Sequence, residues 1–549
     1  MPGPRAVHTI MAGFGVYVVD LHQTTGGKLM RLLCACCAIM LLAPSLHAEA
    51  RELGIGAMLV GKQMLEVSEV RQMSLKTDGK VESVSISPDG KYVTYLVRSK
   101  TGIDLRLAKV STGKTVTLLT QPTDKDTIRD NPPLLGVIWM LECPEAGALQ
   151  SWLKPDKFRA SWSPDSKSFA VVALRIEHAK GPASEWPVYA LLYSATGTPK
   201  ASLRLPDSCE VIEGPLFTLD SRRLVVNLAL TSRVANDEIT ETKPTIESID
   251  IATGASRDIY ASTTSQPNLV GWSTDGSLLF VVYAKGGAEL HKIALNGGSD
   301  EVLVSECGAA GQTSPDGTLT IPPGKGLTVT NQTTGARVEL TTDGPVLFPA
   351  WAPNGRMILY WQTESITASG IQARRRAFSS LWLSGIAPGR LSQMCVALDA
   401  GEASCSRDCS RIAYTSQDQL YVAELTLRDP TVSEKIVAGL PLDEDEMKQA
   451  LLTNGKQIGM AMRMYADDWD GKLPPSNDID AALGPYLSDK GLLKRPGSSD
   501  PAFRYIDPGV ANESEIKYSA STVLGELDGG YDWIVEIYAD GHVKVKPKQ

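Results

Sequence analysis

Seven times along the middle of the chain an apolar run gives way to a short polar turn, and a second apolar run follows. The segments are VSISPDGKYVTYL (84–96), ASWSPDSKSFAVV (160–172), PLFTLDSRRLVVN (215–227), VGWSTDGSLLFVV (270–282), GQTSPDGTLTI (311–321), PAWAPNGRMILYW (349–361) and ASCSRDCSRIAYT (403–415). The turns centre on Asp89, Asp165, Asp220, Asp275, Asp316, Asn354 and Asp408. Each residue type has a reason to be there. Proline presets φ at the first turn position, Asp or Asn caps nearby backbone through its side chain, and Gly or Ser tolerates the left-handed residue that reverses the chain. The runs that follow are β-branched, aromatic or aliphatic, the pattern of buried strands. A third strand at 105–110, an S-T-G-K turn at 111–114 and a fourth strand at 115–119 complete the first unit. Four such strands are the content of one propeller blade.

The turn centres lie 76, 55, 55, 41, 38 and 54 residues apart, and propeller blades recur about every 40–45 residues. The two shortest intervals therefore predict bare blades, and the others predict insertions. The longest interval holds a loop excursion that includes residues 130–144. Trp162, Trp272 and Trp351 precede three of the turns, but the equivalent positions hold Ile86, Phe217, Thr313 and Cys405. A position that accepts this range is expected to be packing between blades, not ligand stacking. The turn aspartates are likewise expected to be structural.

From Asp443 the period changes. Asp443 with Glu446 three residues on has the form of a capping box. Met447, Leu451, Ile458, Met462 and Tyr465 recur at spacings of three, four and seven, which predicts an amphipathic helix of about 24 residues. Gly455 and Gly459 each weaken such a helix by roughly 1 kcal/mol relative to Ala, so packing on a neighbour must hold it. Asp470-Gly471 ends it, and Pro474-Pro475 forbids its resumption.

Composition adds compartment more than chemistry. The chain has 549 residues, 43% hydrophobic and 21% charged, with a formal charge of −9. That balance fits a globular protein of several units and opposes nucleic-acid binding, which needs a basic face. No apolar run reaches the ~18 residues of a membrane-spanning helix. Lys28 and Arg31 precede an apolar run over residues 32–43, and Ala48-Glu49-Ala50 supplies a small-residue cleavage pattern. This order predicts a secretory signal over 30–50, with 1–29 an upstream extension from a misplaced start and 51–79 a lead-in segment.

Of nine cysteines, Cys34, Cys36 and Cys37 fall within the signal. Cys143, Cys209, Cys307, Cys395, Cys405 and Cys409 remain, an even number whose connectivity is open. Cys405 and Cys409 flank one tight turn and are the nearest pair. After signal removal the histidines are His178, His291 and His542, too sparse a set for a metal centre. Asp467, Asp468 and Asp470 offer oxygen ligands but lack the spacing of a calcium loop, and a solvated helix end is the expected reading. The sequence contains no G-x-S-x-G, H-E-x-x-H or P-loop motif. No catalytic, cofactor or metal residue is assigned, and the binding residues stay open.

The repeated W-S-P-D-G turn with its aliphatic strand resembles the TolB-type, WD-like propeller repeat of bacterial periplasmic and secreted proteins. The resemblance covers about 80–440 and implies a mostly β protein with a seven-bladed propeller. Asn354, Leu219, Thr274 and Arg407-Asp408-Cys409 depart from it and leave six or eight blades open. The run NGKQIGMAMRMYADDWDGKLPP (454–475) and the ending IVEIYADGHVKV (534–545) resemble the pilin-like proteins of type II secretion and type IV pili. That resemblance implies a small α+β domain over 443–549. It departs in lacking the hydrophobic half-helix that forms a filament core, and in having Gly530 where a histidine often stands.

The favoured function is an exported, non-catalytic binding or scaffold protein of the bacterial cell envelope, monomeric, periplasmic or secreted, with a protein or polysaccharide partner. One alternative is a propeller hydrolase or lyase with Asp, Glu or Lys chemistry in its channel. The other is a component of a secretion or surface-assembly apparatus that docks through the pilin-like domain.

Overall fold

The computed structural model describes residues 9–12, 15–18, 57–73, 79–99, 102–122, 160–174, 188–206, 209–233, 239–262, 265–284, 287–307, 313–322, 326–341, 346–364, 378–386, 391–397 and 400–548. Residues 1–55 form a unit of their own, in which Thr9–Ala12 and Gly15–Val18 pair as an antiparallel hairpin. The signal and its cleavage site lie outside the described residues, as do Cys143, His178 and the loop at 130–144. No described helix is long and apolar enough to cross a membrane.

In the larger unit the chain lays down antiparallel sheets one after another, and the fold is a mostly β propeller. The first sheet runs Lys80–Ile86, Tyr92–Arg98, Gly102–Lys109 and Thr115–Pro122. Its acidic turn and its S-T-G-K turn join strands where the polar breaks in the sequence place them. Further sheets follow over 161–204, 209–261, 267–307, 319–341 and 346–397, the fifth with three strands among the described residues. The seventh begins with Ala400–Cys405, Arg411–Ser416 and Gln419–Arg428. It is completed by Gln63–Gln72 and Ala57–Val60 from the other end of the chain.

Both strands lie within the segment 51–79. An exposed edge strand carries a row of unpaired backbone groups, and Gln63–Gln72 satisfies the edge of Gln419–Arg428 from Met64 opposite Arg428 to Gln72 opposite Tyr421. A side-chain ion pair seals the join, Arg428 Nε to Glu66 Oε2 at 2.6 Å.

Neighbouring sheets pack face to face through apolar side chains. Leu105 and Leu107 of the first meet Trp162 and Phe169 of the second. Leu192 and Leu203 of the second meet Leu224 and Leu228 of the third, and Val225 and Ile246 meet Leu278 and Phe280 of the fourth. Leu327 and Val329 of the fifth meet Tyr360 and Trp382 of the sixth. Met357 and Leu381 of the sixth meet Ile412 and Tyr414 of the seventh. Val84 and Val93 then pack on Ala413 and Val422, bringing the seventh sheet against the first. Fully burying such a side chain contributes roughly 1.5–3 kcal/mol, so the interfaces between sheets are the main stabilising element.

After the seventh sheet come helix α1 (Val432–Ala438) and helix α2 (Glu444–Asp468). The α2 capping box is present: Asp443 Oδ1 accepts from Glu446 N at 2.9 Å, and Glu446 Oε2 accepts from Asp443 N at 3.1 Å. The helix buries Met447, Leu451, Ile458 and Met462 on a sheet of Phe503–Tyr505, Val523–Asp528, Trp533–Tyr538 and Val543–Pro547. Gly455 and Gly459 face that sheet. A Cβ on Gly455 would lie 3.1 Å from Val543 Cγ1, and one on Gly459 would lie 3.2 Å from the Gly541 carbonyl. Glycine here sets the close approach of helix and sheet, and that contact offsets its poor helix propensity. The helix ends where Asp470 and Gly471 turn left-handed, at φ 54° and 79°.

Candidate binding site

The acidic turns are built by one hydrogen-bond pattern. Ser87 Oγ donates to Asp89 Oδ1 at 2.8 Å, the same oxygen accepts from Lys91 N at 3.1 Å, and Ser87 Oγ accepts from Tyr92 N at 3.0 Å. Equivalent bonds join Ser163 to Asp165, Thr218 to Asp220, Ser314 to Asp316 and Ser406 to Asp408. Burial works against the charge on Asp89, Asp165, Asp316 and Asp408, yet these bonds outweigh it and hold all four carboxyls below the ordinary range. At Asp220 the Thr218 hydroxyl is the leading influence in the same direction. At Asp275 the leading influence is Lys292, whose Nζ stands 2.6 Å from Oδ2. The carboxylates thus serve the turns. The residue after each centre is left-handed in all seven, from φ 58° at Cys409 to 82° at Gly276.

Because the chain enters each sheet by its inner strand, those strands and turns converge. They enclose a cavity of about 760 Å³ walled by Ser85, Ser161, Trp162, Asn268, Trp272 and Ser404, with prolines from the turns between them. Its mouth is a second space of about 750 Å³ among the turns themselves, where Asp89, Asp165 and Asp408 lie beside Asn354, Arg356 and Arg407. Arg407 belongs to both spaces. The side chains of Arg356 and Arg407 are exposed and have no hydrogen bond or ion pair among the described residues. Asp89 and Asp165, by contrast, have local lysines, Lys91 at 3.0 Å and Lys167 at 3.9 Å. The sequence offered one signal for this cationic pair: Arg407 occupies the proline position of its turn.

The tryptophans are wall and packing together. Trp162 is 8% exposed and donates Nε1–H to Ser85 O at 3.3 Å, while Trp272, half-buried, donates to Phe217 O at 2.8 Å. Each therefore bonds the inner strand of the preceding sheet and turns one edge to the cavity. Trp351 packs in the interface of the fifth and sixth sheets.

The remaining candidates are dispersed. His291 is buried in the fourth sheet, stacked on Phe280, with Nδ1 2.5 Å from Asp300 and Nε2 3.3 Å from Glu289. His542 pairs with Asp540 and stacks on Tyr538. Asp468 accepts from Tyr486 Oη at 3.0 Å, Asp467 lies in the last turn of α2, and Asp470 follows the helix end. Among the described residues no group of three His, Cys, Asp or Glu could hold a metal ion. Cys405 and Cys409 are free thiols, Cys395 is buried and Cys209 half-buried, and the Cys307 side chain lies outside the described set. Glu247, 3% exposed in the third sheet, leaves Oε2 without a hydrogen bond among the described residues. Burial, reinforced by Asp258, pushes its carboxyl up to about 7.

No family model and no curated protein matches the sequence. Solved structures similar to it include TolB from Acinetobacter baumannii, 15% identical over 65% of this chain and 67% of that one, with a TM-score of 0.31. Oligogalacturonate lyase from Vibrio parahaemolyticus is 12% identical over 67% and 98%, with a TM-score of 0.42. Dipeptidyl peptidase 4 from Porphyromonas gingivalis is 13% identical over 64% and 56%, with a TM-score of 0.33. Likeness at this level carries no functional implication for this chain.

Proposed function

We propose that this chain is an exported, non-catalytic binding propeller of seven blades from the bacterial envelope. Its ligand is an extended, acidic segment of a partner protein, received at the mouth of the central cavity. The observation that carries this reading is the pair Arg356 and Arg407, whose side chains have no hydrogen bond or ion pair among the described residues, at the rim of a proline- and indole-walled space. A guanidinium matches a carboxylate with two parallel hydrogen bonds, and such pairs strengthen as water is excluded from a cavity. Serine and asparagine on the wall suit the backbone of an extended peptide. The basic, apolar and small-residue order of residues 28–50 supports export.

A screen of the purified full chain against peptide and glycan arrays tests the reading. Acidic peptides retained by the wild type and lost on Arg407→Glu support it. Retention of glycans alone, or of peptides whatever residue 407 carries, refutes it.

A second reading rests on α2. Met460 and Met464, one helical turn apart, are 64% and 46% exposed on the side away from the sheet. An apolar pair there favours docking of a pilin-like domain over 443–549 onto a secretion or surface-assembly apparatus.

A further inference from the structure

Cys405 ends the inner strand of the seventh sheet, and Cys409 closes the turn that follows it. Their sulfurs are 3.0 Å apart and both side chains are buried, 8% and 1% exposed. A disulfide needs about 2.05 Å, so roughly 1 Å of approach separates the dithiol from a bond. Cys409 occupies the left-handed position that glycine fills in four of the other six turns, at φ 58°. A side chain there costs roughly 1–2 kcal/mol of backbone energy. Its sulfur is also held from outside its own turn: Asn354 Nδ2, from the sixth sheet, donates to it at 3.4 Å. Cys405 Sγ in turn donates to Ser406 O at 3.2 Å and forms part of the cavity wall, which gives a small reagent its route in.

We propose that Cys405 and Cys409 are a redox site that forms a disulfide across this turn. The bond would lock the seam of the ring, because Arg407, the middle of the three residues between them, donates its backbone N–H to Pro88 O of the first sheet at 2.9 Å. It would also fix the height of the Arg407 side chain at the cavity mouth. The hydrogen bond with Cys409 first, and burial second, hold the Cys405 thiol well above the usual range, while its place on the cavity wall makes it the sulfur that a reagent meets first. The oxidant is a small-molecule or protein disulfide. Cys405, losing its proton, attacks one of its sulfurs and expels the other as a thiol. Cys409, losing its proton, then attacks the Cys405 sulfur of the mixed disulfide and expels the second thiol. Two thiols of the protein are oxidised, and one disulfide of the reagent is reduced.

Trypsin cuts after Arg407, between the two cysteines, so peptide mapping reads the bond directly. The reduced full chain is equilibrated with oxidised glutathione, alkylated under denaturing conditions and digested. Peptide 408–411 is expected joined to peptide 391–407, two hydrogens lighter than the separate pair, and released by dithiothreitol. Peptide 391–407 also contains Cys395, so the linkage must survive Cys395→Ser. Fragment-ion sequencing of the wild-type pair makes the same assignment if that variant does not accumulate. Recovery of 408–411 only as an alkylated or glutathione-bearing peptide overturns the proposal, as does its linkage to Cys395, Cys209 or any other cysteine.

Discussion

The Asn354 side-chain amide donates to the Cys409 sulfur at 3.4 Å, so the one turn centre that is not aspartate meets the one left-handed turn residue that is cysteine. Asn354 Oδ1 still accepts from Arg356 N at 2.9 Å and builds the turn as an aspartate would. Only the second atom of the head group differs, and it is the one that reaches the neighbouring sheet. Asn354→Asp should therefore keep its own turn and lose the bond to sulfur. A cost of about 0.5–1.5 kcal/mol is expected by urea denaturation of the reduced protein, whereas an unchanged midpoint would assign Asn354 to its own turn alone.

Two serines occupy the same left-handed position with different reasons for being there. Ser166 Oγ accepts from Asp89 N at 3.0 Å and so joins the second turn to the first. Ser221 Oγ is buried without a hydrogen-bond partner among the described residues. Ser221→Gly relieves both backbone and hydroxyl and should stabilise by about 1–2 kcal/mol. Ser166→Gly gains the backbone term but loses the bond, and its melting temperature should barely change. Equal stabilisation by the two would show that the bond between turns contributes nothing.

Glu247 makes stability depend on pH in an unusual direction. Its carboxyl titrates near 7 in the fold and near 4.5 in the unfolded chain, so the folded state holds its proton more tightly. Its contribution is fully present below about pH 4.5 and is lost as pH rises through 7. The groups near it are Thr245 and Ile249 on its own strand face, Val226 opposite, and Asp258 and Ser256 on the next strand. Glu247→Gln should stabilise the protein at pH 8 by about 1–3 kcal/mol and have little effect at pH 4. A variant less stable at pH 8 would contradict this.

Arg428 joins three segments. It pairs with Glu66 on the strand from the chain's other end and with Glu434 of α1, each at 2.6 Å. Arg428 is the leading cause of a Glu434 carboxyl lowered to about 2. That stabilisation is present above about pH 4.5 and lost as pH falls toward 2. With both partners part-exposed, Arg428→Ala should cost about 1–2 kcal/mol at pH 7 and less near pH 2. Thermal melts across that range check it; a cost independent of pH would point to packing by the arginine stem instead.

The parts of the fold legible in the sequence are those whose chemistry is local. A Ser-x-Asp turn satisfies its own backbone within six residues, and the Asp443–Glu446 box does so within four, so both show in the residue order. The partner of Gln63–Gln72 lies more than 340 residues away, and nothing in that segment's composition names it. The mouth was illegible for a related reason. Arg356 and Arg407 sit in separate repeats, and only packing of the sheets in sequence brings them to one rim. Asn354 and Arg407-Asp408-Cys409 were visible as departures from the repeat, but their meeting across two sheets was not. The two glycines of α2 read as a weakness until the sheet beneath them came into view.

The binding reading is tested most directly by reversing the charge of the mouth. Arg356→Glu with Arg407→Glu changes two exposed side chains at the rim, so the fold should persist by circular dichroism. Fluorescence anisotropy then compares labelled extended peptides, acidic and basic but otherwise matched, on the wild-type and doubly substituted full chains. The wild type should bind the acidic peptide in a salt-sensitive manner and the variant should prefer the basic one. Equal affinity of both proteins for the acidic peptide would contradict a ligand held at Arg356 and Arg407.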